Sequence, residues 1–148
     1  ARALWRTKRM KSDEVLRACA EGGGVIGISA AAHTTLTERH PLHSIESVME
    51  HFEYIAGLVG IDHVAFGPDI FFGDHVGLHR YFAKQFSLAA SRGGREIQEV
   101  EYVDGIENPA ESFPNIVRWL VRHEYSDAQI GQVIGGNVLR ALAAIWPR

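Results

Sequence analysis

Asp69 is the first residue in this chain whose type and place suggest chemistry. It follows the short apolar run His63 to Gly67 through Pro68, so a carboxylate stands just past the end of what reads as a buried strand. α/β barrels and sheets gather their active-site groups at that end of their strands. Taken alone, Pro-Asp is also ordinary turn chemistry, and an aspartate that caps the following backbone is the plainer reading. Arg9 is the second candidate. It lies in the basic cluster Arg6, Lys8, Arg9 and Lys11, which taken alone reads as a solvated face. His75 and His79 stand four apart beside Asp74, a spacing that on a helix would put both imidazoles on one face. Gly73 and Gly77 argue against a regular helix there, so His75 reads better as lining a substrate pocket than as holding a metal. His51 and His63 read as satisfied structural histidines. His33, His40, His43 and His123 carry no usable spacing.

The elements that must position these residues follow from hydrophobic period and punctuation. Ser12-Asp13-Glu14 reads as a helix start, and Gly22-Gly23-Gly24 ends that helix. Val25 to Ala30 is an apolar, glycine-bounded run of strand length. A second helix spans Ser44 to Val59, with Ile45, Val48, Met49, Phe52, Ile55, Ala56 and Val59 on one face and Glu46, Glu50 and Glu53 on the other. His63 to Gly67 is the second strand. Helix, strand, helix, strand is the order of parallel βα units, yet two strands are too few for a parallel sheet covered on both faces. Partner strands are therefore expected upstream of Ala1 or on another chain. From Ile70 to about Glu111 the periodicity fades, with a short helix expected over Tyr81 to Ala90. Beyond it, Pro114 reads as the start of a helix, Ser126 to Gln129 as a capping box, and Val138 to Trp146 as a last amphipathic helix after Gly135-Gly136-Asn137.

Composition bounds the answer without naming a ligand. A net charge of -3 with 22% charged residues offers no basic face for nucleic acid. No apolar run approaches the roughly 20 residues of a membrane helix. The single Cys19 cannot pair within the chain and fits a reducing, cytoplasmic setting. Homo-oligomer formation is left open.

Three segments together resemble the membrane dipeptidase (renal dipeptidase) family. Gly60-Ile61-Asp62-His63-Val64-Ala65-Phe66-Gly67-Pro68-Asp69 is similar to that family's "G-x-D-H-V-x-x-G-S-D". Lys8 to Glu14, followed by Gly22 to Gly27, is similar to its "R-N-x-x-D" stretch and "G-G-V-I-G" strand. Tyr125-Ser126-Asp127 with Ile134 to Arg140 is similar to its closing "G-Y-S-D" and "G-G-N-x-L-R". The resemblance implies an α/β fold, the C-terminal part of a (β/α)8 barrel of the metal-dependent hydrolase kind, with residues 1 to 148 as one partial domain holding the last two strands and the helices after them. It implies two divalent ions, usually zinc, a dipeptide substrate, Asp69 facing the substrate's amine and handling the proton, and Arg9 holding a carboxylate or the scissile-bond oxygen. The family's metal ligands all precede the arginine motif, so none is expected in this chain, and alone it is not expected to catalyse. Met10 for asparagine, Pro68 for serine and Ile70-Phe71-Phe72 for "F-D-G" depart from the family pattern. The aromatic pair Phe71-Phe72 is expected to pack the loop rather than to line a pocket. The alternatives are an amidohydrolase-like enzyme acting on a lactone or cyclic amide, and a non-catalytic half-barrel that needs a partner chain.

Overall fold

The computed structural model describes residues 1–31, 35–73, 76–78, 81–82 and 100–146. Helix α1 (Asp13–Glu21) leads into strand β1 (Ile26–Ile28), helix α2 (Ile45–Val59) and, after the 3-10 turn Ile61–His63, strand β2 (Val64–Phe66). Later in the chain come α3 (Pro109–Arg122), α4 (Asp127–Gly131) and α5 (Asn137–Ile145), the last two joined through a π-type turn at Gln132–Gly136. Among the described residues the sheet has two parallel strands, paired Ile26 with Val64, Gly27 with Ala65 and Ile28 with Phe66. Parallel pairing follows from α2, which carries the chain back to the start of the sheet before β2 begins.

Helix α2 is the keel of this arrangement. Val48, Met49, Phe52 and Ile55, four of the residues the spacing puts on one face, are at most 4% exposed. Phe52 stands with ring centroids 5.1 Å from Phe66 and 5.6 Å from Tyr125, so one side chain joins the helix, the sheet and the C-terminal helices. Burying such a ring is worth about 1.5–3 kcal/mol. The polar face is also engaged. Glu46 accepts from Trp119 Nε1 at 3.0 Å, and Glu50 accepts from Thr37 Oγ1 at 2.5 Å and His40 Nδ1 at 2.8 Å. Burial pushes the Glu50 carboxyl up, but the hydrogen bonds from Thr37 and His40 and the charges of His40 and Arg39 outweigh it and hold its pKa below the usual range. Tyr54 donates to Asp13 at 2.7 Å and ties α2 to the first turn of α1.

Two expectations are corrected. The third helix begins at Pro109, not Pro114: Asn108 Oδ1 accepts from Ala110 N at 3.0 Å and Glu111 N at 3.1 Å, a side-chain cap with proline at the first helical position. Pro114 sits inside the helix, where its missing N–H would have met the carbonyl of exposed Ala110. Phe72 does not pack the loop: it is 72% exposed, whereas Phe71 is half-buried with its ring over Gly73. The capping box at Ser126 forms, with Gln129 N donating to Ser126 Oγ at 3.3 Å and Ser126 N to Gln129 Oε1 at 3.0 Å. Helix α5 buries only Asn137; Leu139, Ile145 and Trp146 are about two-thirds exposed or more.

Candidate active site

The two ends of the sheet are built differently. At the N-terminal end, Asn137 Nδ2 donates to the carbonyls of Ile61 and Val64, both at 2.8 Å. Arg140 reaches the carbonyl of Asp62 at 2.9 Å and that of Gly23 at 3.2 Å, spanning the approaches to both strands. His63 Nδ1 donates to Gly24 O at 2.9 Å, and Gln132 Nε2 to Asp62 Oδ1 at 2.5 Å. Backbone groups ahead of the strands are thus satisfied by side chains from distant helices. The Asn and Arg of the closing motif, and the Asp and His of Gly60 to Asp69, form this latch.

At the C-terminal end the chain opens. Gly67 N donates to Ile28 O at 3.0 Å and Ala30 N to Pro68 O at 2.9 Å, so the pairing runs on past both strands. Along it, buried Ile28, Ala30, Phe66 and Pro68 alternate with exposed Gly27, Ser29, Gly67 and Asp69. Within β2 itself Val64, Ala65 and Phe66 are all buried, so the alternation belongs to β1 and to the chain past the strands. Asp69 adopts φ 57, a left-handed conformation that aspartate tolerates better than most side chains. Asp69 is exposed and stands just past the exit of β2, where the sequence reading expected a carboxylate.

Arg9 is exposed in a turn before α1. With Gly27, Ile28, Ser29, Leu16 and His51 it lines a half-open cavity of about 200 Å³ against β1. The spacing analysis missed Ser29, although its position two residues after Gly27 puts it on the same exposed side. His51 is a structural group: it is 5% exposed, with Nε2 donating to Leu36 O at 3.1 Å and Nδ1 2.7 Å from the Ala1 nitrogen. Burial, the largest cause, lowers its pKa to about 4, so it is a neutral imidazole. His43 is likewise buried, its Nδ1 3.0 Å from Thr35 Oγ1, and His123 stacks on Trp119 with centroids 3.4 Å apart. His75, with Asp74 and His79, lies outside the described residues, as does most of the helix expected over Tyr81 to Ala90.

The family model for membrane dipeptidase, peptidase family M19, matches residues 1–79. The chain belongs to the membrane dipeptidase family. It is 26% identical over 145 residues to dipeptidase aclJ of Aspergillus oryzae, covering 98% of this chain and 28% of that protein. An amidohydrolase from Pseudomonas aeruginosa has a similar crystal structure, with a TM-score of 0.79 at 25% identity over 98% of this chain and 43% of that one. A metallo peptidase from Rhodobacter sphaeroides, liganded with a phosphinate mimic of the dipeptide L-Ala-D-Ala, gives 0.70 at 18% identity, covering 99% and 34%. The chain spans less than a third of that curated relative and less than half of these solved ones. Membrane dipeptidases are metallopeptidases, hence hydrolases. Among the described residues of this member, no three His, Cys, Asp or Glu side chains gather where they could hold one ion.

Proposed function

We propose that this chain forms the substrate-facing wall of a zinc-dependent dipeptidase. In this reading it is the last two strands and following helices of a (β/α)8 barrel, and the ligands for two divalent ions come from sequence that precedes the arginine motif. Asp69 faces the free amine of the dipeptide and carries the proton to the leaving amine. Arg9 holds the carboxylate or the scissile-bond oxygen, and His75 lines the pocket. A dipeptide is a short zwitterion, so a fixed anion and a forked cation on opposite sides of it suit its two ends. The observation that carries the reading is the exposed Asp69 at the C-terminal end of β2, opposite a latched N-terminal end, within a chain of this family. The phosphinate dipeptide held by the Rhodobacter relative supports substrates with a D-residue on the C-terminal side.

The test has two steps. The reading frame upstream of the Ala1 codon is expected to encode "H-x-D" near its start, then a glutamate and two histidines; a frame without them sinks the reading. That longer protein, loaded with zinc, is then assayed on a dipeptide panel. The likeness to an amidohydrolase favours a second reading, hydrolysis of a cyclic amide or lactone. Turnover of those substrates with inert dipeptides would select it.

A further inference from the structure

Pro68 stands where the resemblance expects serine, and the backbone around it is irregular in a way that bears on Asp69. In a regular parallel ladder, the Gly67 N–H bond to Ile28 O would be followed by an Ala30 N–H bond to Gly67 O. Here Ala30 N reaches one residue further, to Pro68 O at 2.9 Å, so β2 carries one extra residue at its exit. Gly67, preceding a proline, is biased toward extended backbone. Pro68 has φ fixed by its ring and no N–H to offer a competing pairing. Its ring is buried, and its carbonyl is pinned by the neighbouring strand. Only after these constraints does the chain turn left-handed, at Asp69 with φ 57.

We propose that Pro68, pinned by the Ala30 amide, is a positioning residue that fixes the left-handed backbone of Asp69 and so the direction of its carboxylate. The inference rests on the proposed role of Asp69, but its geometric half is measured without activity. In the 148-residue chain, a left-handed Asp69 gives a strong intraresidue amide-to-Hα NOE, and the Ala30 amide resists hydrogen exchange. Pro68→Ala is expected to weaken that NOE and to speed Ala30 exchange at least about 10-fold, and Pro68→Ser to do the same to a smaller degree. In the zinc-loaded longer enzyme, Pro68→Ala should lower kcat about 10-fold or more, the scale of a misplaced reacting group, with zinc content unchanged. Should Pro68→Ala fail to fold, Pro68→Ser and the wild-type Ala30 amide carry the test. An unprotected Ala30 amide in the wild type, or an unchanged Asp69 NOE in the folded variants, overturns the proposal. If the NOE changes while kcat holds, the positioning role is refuted. Loss of activity in Asp69→Asn bears on the underlying reading alone.

Discussion

The two ends of one short sheet obey opposite rules. Ahead of the strands, Asn137, Arg140, His63 and Gln132 saturate backbone and carboxylate acceptors. Beyond the strands, Gly67, Ser29 and Asp69 lie open. In βα architectures the N-terminal end of the strands holds the fold and the C-terminal end meets the ligand, and β2 compresses that division into the ten residues from Gly60 to Asp69. Residues from one sequence motif therefore do different work. Asp62 and His63 fasten the strand to its neighbours, and Asp69 is presented by it.

This division predicts that substitutions behind the open end change stability and that substitutions at it change activity. The largest stability effect should come from the packed layer behind the site. His51 has its pKa lowered from 6.5 to about 4 in the folded chain, so the unfolded chain binds the proton more readily. Its contribution is intact above pH 6.5 and is lost as pH falls toward 4, by roughly 3 kcal/mol in all. Following the His51 imidazole resonances through an acid titration checks this, and a midpoint near 6.5 would contradict the burial.

Next in size is the latch itself. Asn137→Ala takes the side-chain donor from the carbonyl of Val64 and leaves that of Ile61 with only the Val64 amide, and should cost about 2 kcal/mol in urea unfolding. No change in the midpoint would mean that α5 is not fastened to β2. Arg140→Ala removes two exposed bonds and should cost less than about 1 kcal/mol. The smallest effect is expected on the outer side of α5. Leu139→Ser, at a residue 68% exposed, should stay within about 0.5 kcal/mol in the isolated chain. A large loss there would mean that Leu139 packs against the rest of the chain and is not on its open face.

How far the sequence could be read follows the same division. Strands, α2 and their order were legible because period and glycine punctuation are local, and α2 buries the face its spacing marks. The start of α3 was not, because Asn108-Pro109 looks the same as a loop turn and as a helix cap until the amides of Ala110 and Glu111 are seen to need an acceptor. The latch was invisible to spacing, since Asn137 and Val64 lie 73 residues apart. The motif match pointed to these residues without saying what they do. Asp69 was legible as a strand-end carboxylate, whereas its left-handed backbone and the one-residue shift at Pro68 depend on pairing with β1.

The most direct measurement combines both ends of the comparison in one variant. In the zinc-loaded longer enzyme, Asp69→Asn should fold with stability within about 0.5 kcal/mol of wild type, because asparagine tolerates the same left-handed backbone. Its kcat on a dipeptide should fall by about 100-fold or more, the scale of a lost acid-base group. A variant that keeps full activity would contradict the role given to Asp69 and, with it, the reading of this end of the sheet as the reacting one.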